Sequence, residues 1–176
     1  LGTENQNLPG FVALSPSPRS SQLWRAGFLP AEHQGTHFNH SETDPEKMIR
    51  YLRNSSLDAE AQRQQLDLIT TLNRQHRETT GRDAFLDARI QAMETAYRMQ
   101  FEALDVFDVR KEPDAVREEY GTTSFANGFL LARRLVERGV RYIQVFINSQ
   151  IWDHHHGLEK GLRQACARTD KPVAGL

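Results

Sequence analysis

Apolar positions recur along this chain with two different periods. Phe11-Val12-Ala13-Leu14 is a short continuous apolar run, and Val140 to Ile147 (VRYIQVFI) is a longer one, rich in β-branched and aromatic residues. Both predict strands, the second buried on at least one face. Between them the period becomes helical. Leu66, Ile69 and Leu72 recur at helix spacing to about Gln75, with Ser56 placed to cap that helix. Asp58 and Glu60 stand in its first turn, where the helix dipole favours negative charge. After a break at Thr79-Thr80-Gly81, a second helix is predicted from about Asp83 to Glu102, with Phe85, Ile90, Met93, Tyr97 and Met99 as its apolar positions. Two long helices with a short polar break predict an antiparallel αα-hairpin over about 56–102. Its Met and aromatic stripe is expected in the core, and Arg74, Arg77, Arg82, Asp87 and Arg89 on the solvated surface. From Ser124 to Arg138 the residues Phe125, Phe129, Leu130, Ala132, Leu135 and Val136 form a wide apolar face, which ends at Gly139, a residue suited to a left-handed helix cap. Helix, glycine, strand, polar loop and helix make an α/β unit over about 124–176.

Punctuation between these segments is weaker. Leu1 to Gly10 is rich in turn formers and amides, and Ser15 to Gln22 holds two prolines and four serines and reads as loop. Gly27 to Pro30 and Gln34 to Asn39 read as irregular or short extended pieces. Asp44-Pro45-Glu46 is a possible helix start with Pro at the first position; Met48 to Leu52 fits helix or extended chain equally. Leu104 to Pro113 is a connector, followed by a short helix from Asp114 to Tyr120 closing at Gly121. Near the end, a helix over Leu158 to Arg168 is followed by a second helix start at Thr169-Asp170-Lys171-Pro172. That start lies close to Leu176, and the first residue is Leu rather than Met, so the expectation is a segment of a longer protein.

The 176 residues are 38% hydrophobic and 26% charged, which excludes a disordered or collagen-like chain and is enough for one domain with a core. A formal net charge of −1 advertises neither nucleic acid nor an anionic membrane as partner. No apolar run approaches the roughly 20 residues needed to span a bilayer, and no signal peptide opens the sequence. The single Cys166 excludes an internal disulfide framework and is expected as a small packing residue in its helix.

Chemistry gathers at Trp152-Asp153-His154-His155-His156-Gly157, just past the second predicted strand. In open α/β sheets ligands collect beyond the carboxyl ends of strands. Asp153 and His155, one residue apart in a loop, can converge on one cation, and both are accepted ligands of zinc, with bonds of about 2 Å. Manganese or iron accept the same donors, so the pair does not name the metal, and manganese and calcium stand as alternatives to zinc. A catalytic zinc takes three protein ligands plus an open position, so the pair alone is incomplete. His154 and His156 alternate with His155 and point away from it, as candidate substrate contacts. Two other readings stand beside this one: Asp153 caps the helix beginning near Gly157 while the histidines are polar loop residues, or a histidine serves in general acid–base catalysis. His33, His37, His40 and His76 are expected at the surface. No GxSxG, P-loop, GxGxxG or CxxC motif occurs, and no catalytic nucleophile is assigned.

Five phrases in order, LGTENQNLPGFV (1–12), FLPAEHQGTHF (28–38), LDLITTLNRQH (66–76), LLARRLVERGVRYIQV (130–145) and WDHHHGLEKGLRQACARTDKPVAGL (152–176), resemble the sulfatase-like family of unknown function within the alkaline phosphatase superfamily. The resemblance covers essentially the whole of 1–176. It implies part of a three-layer α/β/α, helix-rich domain around a mostly parallel sheet, with the αα-hairpin as an insertion. It also implies a metal-dependent hydrolase of small phosphate or sulfate esters, with Asp153 and His155 on the family's tryptophan-aspartate-any-histidine phrase as metal ligands. His156 stands where relatives often have Gly or Ser. Asn5, Gln6 and Asn7 match a family phrase whose amides face substrate or tie down a loop. The family's first metal-binding strand, its nucleophile and its last histidine motif would lie outside these residues, so the segment is expected to be inactive alone. Relatives commonly carry an export signal, which implies an extracytoplasmic home. A non-catalytic surface or carbohydrate-associated binding protein that kept the fold is the alternative, and an independent helical-hairpin interaction module over 56–102 is a third.

Overall fold

The structure, a computed structural model, describes residues 4–15, 22–30, 33–49, 52–147 and 150–176. Strands are few and short: β1 (Phe11–Leu14), β2 (Thr36–Phe38) and β3 (Tyr142–Val145). Among the described residues six α-helices accompany them: α1 (Pro45–Met48), α2 (Ala59–Thr80), α3 (Ala84–Val106), α4 (Asp114–Tyr120), α5 (Ser124–Glu137) and α6 (Leu158–Gly175). The strands form one parallel sheet in the order β2-β1-β3, with Val12 opposite both Thr36 and Ile143. A parallel central strand is covered on both faces, which explains why β1 is an unbroken apolar run. Val12, Ala13 and Leu14 are all fully buried.

Helix α5 supplies the largest apolar surface against this sheet. Ala126, Leu130, Leu131, Ala132 and Leu135 are buried in one cluster with Val12, Leu14 and Phe38, and Ile143 and Val145 of β3 pack against it. The approach is close because Gly128 has no side chain: a Cβ there would lie 3.0 Å from a methyl of Val145. The helix stops as the sequence predicts. Gly139 takes φ +86°, its N–H reaches the Val136 carbonyl, and the Val140 N–H reaches the Leu135 carbonyl. This pair of bonds satisfies two terminal carbonyls and turns the chain into β3. Val136, expected on the apolar face, is instead exposed.

Helices α2 and α3 form the predicted antiparallel hairpin, but polar groups hold much of it. Asp58 rather than Ser56 caps α2, accepting from the Ala61 amide, and Asp83 caps α3. Between the helices, Arg63 bonds Glu94, Gln100 donates to Gln62, Asn73 donates to Asp87, and the Tyr97 hydroxyl donates to the Ala59 carbonyl. Of the expected apolar stripe Leu66 and Met99 are buried, whereas Leu72, Phe85 and Met93 are exposed. Asp87, expected as a solvated charge, lies inside the polar seam, with Arg82 and Arg77 around it.

Two further boundaries differ from expectation. The residues Leu158 to Gly175 form one helix, with Pro172 inside it, rather than two. The Thr169 hydroxyl folds back on the Ala165 carbonyl instead of capping a new start, and Thr169 and Pro172 are buried. Strand β3 spans four residues of the eight expected and pairs with β1 alone, so it is a half-buried edge of the described sheet. Met48 closes α1, while Arg50 and Tyr51, the middle of the stretch that fits helix or extended chain equally, lie outside the described residues. The same holds for Leu1 to Thr3, for most of the Ser15–Gln22 loop and for Asn148 and Ser149 of the polar exit.

Candidate functional site

Strand order 2-1-3 makes the carboxyl ends of β1 and β3 a topological switch point, where the chain leaves neighbouring strands in opposite directions and a crevice opens. The ladder runs out there through the Phe146 amide, which donates to the Leu14 carbonyl at 2.8 Å. Residues 150–157 follow, so the Asp153–His156 segment lies beyond the carboxyl end of β3, where the sequence places it.

Asp153 and His155 converge. The His155 Nε2 lies 3.2 Å from one carboxylate oxygen of Asp153 and 3.3 Å from the other. The His155 side chain is 80% exposed and that of Asp153 55%, so neither is spent on packing. Two ligands on a tetrahedral ion with bonds of about 2.0–2.1 Å stand roughly 3.3–3.4 Å apart, so the pair already has the spacing of one edge of such a shell. Its donor set, one carboxylate oxygen and one imidazole nitrogen, fits a divalent cation. Among the described residues no group of three or more His, Cys, Asp or Glu comes together, so the shell is not completed within them.

The competing assignment of Asp153 as a helix cap does not hold. Gly157 is the N-cap of α6, at φ +63°, and no side chain accepts from the first-turn amides. His154 turns away from the pair and lies on α6. A Cβ at Gly161 would come 2.5 Å from its Nδ1, so the ring sits in the space that glycine leaves. Its Nε2 is buried and has no hydrogen-bond partner among the described residues. His154 also borders an open cavity of about 530 Å³ with Gln150, Ile151, Gln164 and Arg168. His156 is exposed, as is Trp152.

Asn5 and Asn7 lie elsewhere. They precede β1, at the amino end of the parallel sheet, opposite the end at which Asp153 stands. Asn5 donates to Glu102 of α3 at 2.8 Å and accepts from the Asn7 amide, while Glu4 pairs with Arg141 at the entry to β3. Asn5 thus links the segment before β1 to α3. Cys166 is a free, half-buried thiol on α6.

One histidine departs from its expected place. His40, read as a surface residue, is 1% exposed. Its Nδ1 lies 2.7 Å from the Ser124 carbonyl and its Nε2 2.9 Å from the Phe146 carbonyl. His37 is also partly withdrawn, stacked on Trp24 at 4.8 Å with Nε2 3.0 Å from the Ser15 carbonyl. His33 is half-buried, and His76 is exposed as expected. No sequence signal separates His40 from the others. Its burial depends on Gly128 of α5, whose missing side chain leaves room for the ring.

A second concave surface lies between the 22–30 segment and the start of α3. This open cleft of about 1140 Å³ is lined by Trp24, Phe28, Leu29 and Phe85, with Arg25 and Arg82 among its polar groups. Phe28 is 98% exposed and Phe85 79%.

Comparison with known proteins gives one match. A family model described as a protein of unknown function, DUF1501, covers residues 1–176. Neither the curated proteins nor the solved structures give a match. The chain therefore belongs to the DUF1501 family of proteins of unknown function.

Proposed function

We propose that the Asp153–His155 loop is one corner of a divalent-metal centre, zinc in the first instance, in a hydrolase of phosphate or sulfate esters. The observation that carries this reading is the 3.2 Å approach of two exposed metal-competent side chains, which among the described residues hydrogen-bond only each other, beyond the carboxyl end of a parallel strand. The resemblance to the sulfatase-like proteins of the alkaline phosphatase superfamily supports the same reading, as does the parallel sheet with helical connections, which suits part of a three-layer α/β/α domain. A bound divalent ion would supply Lewis acidity towards the ester oxygens. Asp153 and His155 would hold it, and the exposed flank would leave room for an ester group. Further ligands and the nucleophile would come from other parts of the full-length protein, so these 176 residues alone should not turn over an ester.

The test is elemental analysis of the full-length protein together with a screen of phosphate and sulfate esters. Asp153→Ala and His155→Ala should each lower metal content and esterase activity together. Full metal occupancy in Asp153→Ala would sink the ligand assignment. A non-catalytic binding protein is the second reading, favoured by the aromatic cleft around Trp24, Phe28 and Phe85. It expects no ester turnover by the full-length protein and saccharide binding that Phe85→Ala abolishes.

A further inference from the structure

His40 sits where β2, β3 and α5 meet, and each of its ring nitrogens faces a main-chain carbonyl. Ser124, the residue facing Nδ1, is the first of α5, and Phe146, facing Nε2, is the first past β3. Carbonyl oxygens only accept. A neutral imidazole has one N–H and can serve one of them, whereas an imidazolium donates to both. The ring cannot slide away, because Gly128 and Val145 bound the same space: a Cβ at Gly128 would lie 3.1 Å from the His40 Cγ. The charged and titratable groups on the elements that meet at the ring are engaged with other partners. On its own segment Glu42 accepts from the amides of Thr43 and Asp44, and Asp44 caps α1. On α5, Arg133 bonds Glu137 and Arg134 bonds Glu112. On β3, the Tyr142 hydroxyl accepts from Gln144. Among the described residues the hydrogen-bond partners of the ring are the two carbonyls of Ser124 and Phe146.

We propose that His40 is the positioning residue for the connection that carries Asp153 and His155: doubly protonated, it ties the exit of β3 to the start of α5, and loss of one ring proton releases the Phe146 carbonyl. Phe146 is the contact given up because the Ser124 contact is the shorter of the two and Ser124 is fixed in a helix. The proton remaining on the neutral ring stays at Nδ1. Any effect on metal binding rests on the reading of Asp153 and His155 given above; the latch itself rests on the geometry alone.

The test uses the full-length protein with ¹⁵N-labelled histidine. Nitrogen–proton correlation spectra across pH read how many ring protons His40 carries, and amide exchange, corrected for its intrinsic pH dependence, reads the protection of the Phe146 amide, which donates to the Leu14 carbonyl, and of the Asp153 amide, which donates to the Gln150 carbonyl. Both ring nitrogens should carry protons in the protected state. As pH rises and one is lost, protection of these two amides should fall on the order of tenfold, the scale of one charge-assisted hydrogen bond. His40→Gln should show the lower protection at every pH, with α2 and α3 unchanged. A single ring proton on His40 wherever the chain is folded, or the wild-type pH profile surviving in His40→Gln, overturns the proposal. If His40→Gln does not fold, the wild-type titration decides by itself. Zinc added to the same sample separates the two claims. If the His155 resonances stay unmoved while His40 behaves as stated, the metal reading fails and the latch stands. If His155 responds while His40 keeps one proton throughout, the latch fails and the metal reading stands.

Discussion

Arg134 reaches from α5 to the end of α3, a helix with no basic residue in its last turn. Its guanidinium donates to the Asp105 carbonyl at 2.7 Å and the Val106 carbonyl at 2.9 Å, and it pairs with Glu112. Both ions of that pair are largely buried, at 13% and 17% side-chain exposure. Removing one partner of such a pair leaves an uncompensated charge, so Arg134→Ala should cost about 3–5 kcal/mol in chemical denaturation. Arg134→Ala combined with Glu112→Gln should recover part of that loss, because the stranded carboxylate is gone. Recovery of nothing would mean that the carbonyl contacts dominate. Gly128 is a second sensitive point. An added methyl would press on Val145 and on the His40 ring together, so Gly128→Ala should destabilise by about 1–3 kcal/mol, the usual range for an overfilled core. The same denaturation curve checks it. Neither dependence is visible in the sequence. Arg134 lies near the end of its own helix, beside Arg133, and it serves the end of another.

At the scale of elements, the seam of the α2–α3 hairpin is acid-sensitive. Asp87 is held below the usual carboxylate range, first by the hydrogen bond from Asn73 and then by that from Arg82. Glu94 is lowered chiefly by its hydrogen bonds from Arg63. A carboxyl whose folded value is depressed contributes stability that is fully present above its unfolded value and is lost as pH falls through the folded one. With unfolded values of about 3.9 for Asp and 4.3 for Glu, the hairpin should keep its contacts at neutral pH and loosen as pH drops below about 4. Amide exchange in α2 should therefore accelerate in acid ahead of that in α5, and Glu94→Gln should flatten part of the profile. Equal acid sensitivity in the two helices would count against the polar seam. The hairpin also marks how far the sequence is legible. Its two helices, the break near Gly81 and the antiparallel return follow from spacing and capping, which are local. The division of its residues between core and solvent does not, because Phe85 and Met93 lie where no other element of the described fold covers them. Likewise the loop bearing Asp153 and His155 was legible, since a strand exit is a local signal. Burial of His40 was not, since it needs α5 and β3 to meet across the sheet.

Across the whole molecule, burial is unevenly spread, and stability should follow it. The central strand and α5 are enclosed, whereas α2 buries only Leu66, and α3 buries residues only from Met99 onward. Hydrophobic burial supplies most of the free energy that resists opening, at about 25 cal/mol per Å² of apolar surface. Exposed ion pairs add at most about 1 kcal/mol each. The far half of the hairpin, around Thr80 to Phe85, therefore depends on caps and polar contacts, and it should open without unfolding the sheet. Native-state amide exchange should resolve two levels. The highest opening free energies belong to β1 and the middle of α5, around Leu130 to Leu135. The lowest belong to the turn at 79–86, with α3 rising towards the core from Met99 to Val106. Limited proteolysis should cut first between Arg82 and Arg89 and leave both pieces associated through the buried residues Met99, Ala103 and Val106. Uniform protection along α3, or cleavage near Gly128 before any cut in the hairpin, would contradict this gradient. Such an outcome would mean that the polar seam holds the hairpin as firmly as the apolar core holds the sheet.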